Sequence, residues 1–166
     1  MLCFELIDAS SVMVGMPDAF FRREFQRDLD CTIPPLGQYA VGNVFLKPRS
    51  AETQAEHRAT FEKIADSLDL KVLGWREVPR DNTILGPAAL SREPLVIQPM
   101  VVLKTESGKA FDEKYFNRQL YVLRKHATHT ITLANWFYIC SLSPQNIVYK
   151  GQLSPPQVYN YYHDLK

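Results

Sequence analysis

Two places in the chain set one β-patterned run after another with no clear helical stretch between them, and this constrains the fold more than any other feature. "KVLGWREVP" passes to "PLVIQPMVVLK" through "RDNTILGPAALSRE", a loop rich in Pro, Gly, Asn and Asp, and "WFYICSL" passes to "NIVYKGQL" through "SPQ". Consecutive strands mixed with helices favour an α+β or layered arrangement over regular βαβ alternation.

The remaining stretches carry helical spacing. In "PDAFFRREFQRDL", Phe21, Phe25 and Leu29 fall at i, i+4 and i+8 behind Pro17 and Asp18, which open helices well. "SAETQAEHRATFEKIADSLDL" predicts a helix capped by Ser50 and gripping the core through Phe61, Ile64, Ala65 and Leu68. From Asp112 onward, Phe116, Leu120, Leu123 and Ala127 mark another, with Arg124, Lys125 and His126 near its negative end. "SPPQVYNYYHDLK" closes the chain as a helix with Ser154 as N-cap and Pro155 at the first position.

Among the strands, Tyr39, Val41 and Val44 to Leu46 form one in which Gly42 signals a bulge or a close backbone approach. Pro99 pushes its own strand towards an edge or a bulge, because proline donates no backbone hydrogen bond. "TESGK" predicts a turn, and "SPQ" the connection of a hairpin. The expected order is helix, strand, helix, strand, strand, helix, hairpin, helix.

With 166 residues, 46% of them hydrophobic, the chain has material for one sizeable core. A net charge of +1 without a long block of like charge argues against a nucleic-acid partner. Cys3, Cys31 and Cys140 are far apart and odd in number, against both a disulfide framework and a zinc site, and in favour of a reducing compartment, the cytoplasm. "MLCFELIDASSVMVGM" lacks a basic start and carries Glu5 and Asp8, against a secretory signal. No uncharged apolar run reaches the roughly 20 residues of a membrane-spanning helix, so no membrane partner is expected. No glycine-rich phosphate loop is present.

Each group that could carry chemistry has a plainer reading beside it. Cys140, in "FYICSLSPQNIVYKG", is a nucleophile or a small hydrophobe sharing a strand face with Tyr138 and Leu142; burial there raises a thiol's pKa and favours the second. His126 and His129 have a spacing that holds a metal on a helix, but no carboxylate or cysteine stands near to complete it. His57 and His163 are expected on helix faces in charged or aromatic company. Trp75, Arg76, Arg80 and Asp81 would make a ligand-binding rim of an aromatic plate and guanidinium forks, or an Arg-Asp surface network. The pairs Asp112 with Glu113 and Glu52 with Glu56 fit solvated helix faces better than general acid-base work.

Four stretches carry a resemblance: "YAVGNVFLKP", "VLGWREVPRDNTILGPAALSREPLVIQ", "RQLYVLRKHA" and "FYICSLSPQNIVYKGQL". They are similar to the glutaminase domain at the N-terminus of the large glutamate synthases, in order from about Val12 to Lys166, with residues 1–11 an atypical segment. The resemblance implies a class II glutamine amidotransferase domain, α+β, part of the four-layer αββα sandwich of N-terminal-nucleophile hydrolases with two antiparallel sheets. It implies hydrolysis of L-glutamine by an N-terminal cysteine whose own α-amine is the base. The ammonia would serve reductive synthesis of glutamate from 2-oxoglutarate, with NAD(P)H, FMN and iron-sulfur clusters held by domains outside this chain. Likeness around "RKHATHTITLANWFYICSLS" leans towards NADH as donor.

Departures from the family pattern bear on activity. The family's cysteine is followed by glycine and stands further upstream; Cys3 is followed by Phe4 and does not match it. Where the family carries "GDGAG", this chain has Asp8, Ala9, Ser10 and Ser11. The family's "HSRFSTNT" and "HNGEI" segments, with the substrate arginine and the oxyanion hole, follow the equivalents of Asp164 and Leu165. The expectation is therefore an internal piece of the domain, inactive alone and prone to associate through exposed sheet edges, with no catalytic, cofactor or metal residue assigned and the substrate-binding residues unknown. The rivals are a stand-alone non-catalytic binding protein partnering a full-length glutamate synthase, and an enzyme with Cys140 or Cys3 as a new nucleophile.

Overall fold

The structure, a computed structural model, describes residues 10–27, 32–104, 110–131 and 136–166. Its elements are β1 (Ser10–Gly15), α1 (Asp18–Gln26), β2 (Tyr39–Leu46), α2 (Ala51–Asp66), β3 (Leu70–Glu77), α3 (Pro87–Ser91), β4 (Leu95–Leu103), α4 (Glu113–Ile131), β5 (Tyr138–Ser143), β6 (Asn146–Gly151) and α5 (Pro155–Tyr161), with short 3-10 turns at Asn82–Ile84 and His163–Leu165. Strand β1 and the short helix α3 are additions to the expected order; "RDNTILGPAALSRE" is only partly loop. Leu29, Cys3, Cys31, Asp8, Ala9 and the "TESGK" turn lie outside the described residues.

Four strands form an antiparallel sheet in the order β3-β4-β2-β5, and β1 pairs with β6 in a second, two-stranded antiparallel sheet. Two crossovers interlock in the larger sheet: α2 links β2 to β3 past β4, and α4 links β4 to β5 past β2. Because β2 and β4 run oppositely, these two helices are antiparallel neighbours on one face.

Alternation along the strands sorts the core into two layers. Ala40, Val44 and Leu46 of β2 and Ile97 and Val101 of β4 face α2 and α4, whose Phe61, Ile64, Ala65, Phe116, Leu120, Leu123 and Ala127 meet them. Tyr39 and Val41 of β2 and Val96, Met100 and Val102 of β4 face the other way, onto Ile147 and Tyr149 of β6 with Phe21, Phe25, Val158 and Tyr161 of α1 and α5. The helical periodicities read in α1, α2 and α4 are thus the buried ones. Ser50 occupies the N-cap position of α2, although its hydroxyl bonds Thr53 rather than a backbone N–H, and Gln157 Oε1 accepts from the Ser154 N–H at the start of α5.

Proline 99 does not sit at an edge: β4 is flanked by β3 and β2. The neighbouring strand β3 does bulge, its register shifting between Val72 and Gly74 opposite Met100 and Val101, but Val78 N donating to Val96 O at 3.0 Å puts the even-numbered residues of β4 on the β3 side, so the missing donor of Pro99 faces β2. On the β2 side Pro99 falls opposite Gly42, between the paired positions Val41–Met100 and Val44–Ile97. Gly42 is a close approach as well, since a Cβ there would drive into the Ser141 carbonyl and stand 3.1 Å from Leu142 Cδ1.

The expected hairpin of β5 and β6 is corrected. Strand β5 pairs with β2 and β6 with β1, so the chain passes from one sheet to the other at Pro144–Gln145. Side chains take over where a hairpin would have used backbone: Ser143 Oγ accepts from Gln145 N at 3.1 Å, Val148 N donates to Ser141 Oγ at 3.1 Å, and Asn43 Nδ2 donates to Val148 O at 2.8 Å. The turn in direction comes from a bulge in β5, where Asn43 pairs with Ser141 and Val44 with Ile139, leaving Cys140 as the extra residue.

The close approach at Gly42 makes a quantitative expectation. Gly42→Ala should destabilise the fold by upwards of about 2 kcal/mol through overpacking against backbone, whereas Gly15→Ala, which meets nothing within 4 Å, should stay within about 0.5 kcal/mol. Urea unfolding of both variants checks the contrast.

Candidate functional site

The most concentrated polar chemistry lies between the two sheets. In β3, Leu70 and Val72 face the helices, and unbroken alternation would send Arg76 to the same side; the bulge before Gly74 reverses the parity. Trp75 therefore packs edge-on against Phe61, with its indole N–H on Glu62 Oε1 at 2.6 Å, and Arg76 turns inward. There Arg76 Nη1 and Nη2 grip Asp164 at 2.8 and 2.7 Å, and Nη1 also donates to Gln98 Oε1 at 2.7 Å. The pair is 8% and 3% exposed at the side chains.

The network continues through both sheets. Gln98 Nε2 donates to Asn43 Oδ1 at 2.9 Å and to the Tyr149 hydroxyl at 3.2 Å, and Tyr149 donates to Asp164 Oδ2 at 2.9 Å. Glu24 of α1 stands 3.7 Å from Arg76 Nη2, and the Phe20 ring lies 5.1 Å from the guanidinium. Burial, followed by the Asp164 charge, pushes the Tyr149 hydroxyl well above its usual range and keeps it a donor. A guanidinium that never deprotonates, its Asp164 carboxylate, two side-chain amides and a protonated phenol, each with partners, clamp the sheets together.

This places the predicted rim residue by residue. Arg76 belongs neither to a ligand rim nor to a surface network. Arg80 donates to the Pro94 carbonyl and to Glu77 Oε1, and Asp81 accepts from the Thr83 N–H and hydroxyl, so the four residues serve separate local purposes. Asp112 is a helix cap, its Oδ1 accepting from Tyr115 N at 2.9 Å. Glu113, Glu52, Glu56, His126, His129 and His163 are exposed.

Cys140 is buried, and its thiol reaches Val148 O at 3.5 Å. Burial raises its pKa, which suppresses the thiolate. The β5 bulge corrects the expected shared face: Leu142 turns to the helical side with Ile139. Asn43, Gln98, Tyr149 and Asp164 escaped the sequence reading. For Asn43 and Gln98 the signal was a lone polar residue inside an apolar run, in "VGNVF" and "VIQPM".

His57 is the one histidine drawn into the core, 5% exposed and edge-on to Phe137 at 5.8 Å. Its Nδ1 has no hydrogen-bond partner among the described residues. Burial lowers its pKa, against the opposing pull of Glu56. An opening of about 560 Å³ lined by Lys47, Thr53, Thr60 and Trp136 adjoins it.

Two expectations follow from these geometries. Asp164→Asn should cost about 3–5 kcal/mol of unfolding free energy, because Arg76 is left buried without its counter-charge. For His57, the unfolded chain binds a proton near pH 6.5 that the buried imidazole resists. Stability is therefore whole above about pH 6.5 and falls as the pH drops below it, and His57→Leu should flatten the urea midpoint between about pH 7 and pH 5.5.

Comparison with known proteins agrees with the layered architecture. The family described as class-II glutamine amidotransferases matches residues 5–166. The chain is 54% identical over 160 residues to the NADH glutamate synthase of Schizosaccharomyces pombe and 52% over 162 residues to that of Saccharomyces cerevisiae, in each case 95% of this chain and 8% of the relative. Against the NADPH glutamate synthase large chain of Bacillus subtilis it is 37% identical over 164 residues, 96% of this chain and 10% of that protein. The chain thus spans a tenth or less of the length of these curated relatives. With α2 and α4 on one sheet and a second antiparallel sheet across the buried clamp, the chain belongs to the class-II glutamine amidotransferase family and takes its N-terminal-nucleophile hydrolase fold.

Proposed function

We propose that the chain is part of the glutaminase domain of a glutamate synthase, the unit that releases ammonia from L-glutamine for reductive synthesis of glutamate from 2-oxoglutarate. The observation that carries this is 52–54% identity across 95% of the chain to two NADH glutamate synthases. The lower identity to the NADPH relative favours NADH as the donor of the parent enzyme. Its partners are L-glutamine and the other glutamate synthase domains, and its compartment is the cytoplasm. No described helix is long and apolar enough to cross a membrane.

FMN, iron-sulfur clusters and NAD(P)H belong to those other domains in this reading. The three cysteines of this chain fall short of the four thiolates that a cluster takes. By themselves these 166 residues are inactive: Cys3 lacks the family's following glycine, and Cys140 is a buried thiol with a raised pKa. What the chain contributes is scaffold, a sheet face and a clamped inter-sheet layer against which a catalytic strand end is positioned.

Two assays test the reading. Purified chain, with and without Cys3→Ser and Cys140→Ser, is expected to hydrolyse no glutamine above blank; turnover lost with either replacement would overturn the inactivity. Substituting the chain for the aligned segment of the Schizosaccharomyces pombe enzyme should preserve glutamine-dependent glutamate synthesis. A folded chimera that uses free ammonia but not glutamine counts against the glutaminase role.

A further inference from the structure

The opening of about 560 Å³ beside His57 lies where the first half of α2 passes the last turn of α4, at the end of the β2–β5 ladder. Helix α2 lines it with Thr53, Glu56, His57 and Thr60, a single helix face at i, i+3, i+4 and i+7, and α4 closes the far side with Thr130. Extending the β2–β5 register two residues past Phe45–Tyr138 sets Lys47 opposite Trp136 at the mouth. His57 is buried and forms the floor, while Lys47, Glu56, Thr130 and Trp136 are exposed and form the rim.

The polar groups of this wall are unpartnered. Among the described residues Lys47 and Glu56 take part in no ion pair, either with each other or with a third group. The hydroxyls of Thr60 and Thr130 and the indole N–H of Trp136 likewise have no hydrogen bond to a described residue. His57 Nδ1 is one of two buried side-chain nitrogens left without a partner, an arrangement that costs stability unless it serves something else. Trp136 adds backbone strain at the same place, since it is held at φ +59° without being glycine.

We infer that this opening binds a free α-amino acid in its zwitterionic form, with the carboxylate on Lys47 and the ammonium on Glu56. Both charges flank the same imidazole, for Glu56 raises and Lys47 lowers the His57 pKa. A simple anion would be repelled by Glu56 and a simple cation by Lys47; a small molecule carrying both charges satisfies the two together. Burial keeps His57 neutral, so it adds no third charge and can donate to the carboxylate or accept from the ammonium. The threonine hydroxyls and the Trp136 ring remain for the ligand's side chain. The volume falls within the roughly 300–1,000 Å³ of small-molecule sites, and the polar wall selects against an apolar occupant. A metal ion is a poorer fit, because the described residues form no group of three or more His, Cys, Asp or Glu able to hold one. Every residue invoked belongs to this chain, so the inference stands apart from the glutaminase reading.

Thermal melting of the chain in the presence of each common L-amino acid, at about 10 mM and about pH 7.5, followed by calorimetric titration of the one that raises the melting temperature most, tests it. Saturable one-to-one binding is expected, and the N-acetylated and α-amidated forms of that amino acid, each missing one charge, should bind at least about tenfold more weakly. Lys47→Met and Glu56→Gln should each lose at least about tenfold in affinity while keeping the native circular dichroism spectrum, because both side chains are exposed. Glu113→Gln and Lys114→Met, at the opposite end of α4, should bind as the unaltered chain does. Neither readout depends on catalysis. Absence of binding by every amino acid overturns the inference, as does equal binding of the two blocked derivatives. Affinity unchanged by both Lys47→Met and Glu56→Gln places the ligand elsewhere and overturns it too.

Discussion

Proline 99 occupies the middle of a strand that has neighbours on both sides, and its missing donor faces β2, where the ladder breaks between Val41–Met100 and Val44–Ile97. On the other side β3 bulges between Val72 and Gly74, and much of the structure follows from that. The bulge shifts side-chain parity by one residue, which sends Trp75 to the helices and Arg76 into the space between the sheets. A buried guanidinium demands a counter-charge. Asp164 supplies it from the far end of the chain, drawing the 3-10 turn after α5 onto the segment that follows β3, where His163 N–H bonds Pro79 O at 3.2 Å.

The same demand organises the neighbouring strands. Asn43 and Gln98 would each be costly in an apolar layer, yet they are opposed across β2 and β4 and bond one another before reaching Tyr149 and the Val148 carbonyl. Two sheets that share no backbone pairing are thus tied by side chains, so the inter-sheet layer has one register.

The helical side of the sandwich follows a different logic. Its inner surface is apolar and complementary to the large sheet, while its outer surface is divided by charge along α2 and α4. Net charge conceals this, because +1 is the residue of opposed local excesses. Composition argued against a polyanion partner on average charge; only placement on neighbouring helices makes the local field visible.

Sequence alone determined the helices α1, α2 and α4 and the faces they bury, because a period of 3.6 residues can be read without knowing what lies opposite. It also determined the family, through long ordered stretches such as "VLGWREVPRDNTILGPAALSREPLVIQ", and favoured the buried position that Cys140 takes inside "FYICSLS". Tertiary structure decided which strands pair. "WFYICSL" and "NIVYKGQL" have every local mark of a hairpin, but strand pairing is settled by the faces that must be buried, and those assign β5 to β2 and β6 to β1. It decided the fate of Arg76 and His57 as well, since a bulge in one strand and a neighbouring aromatic ring are relations between distant residues, and no local pattern encodes them.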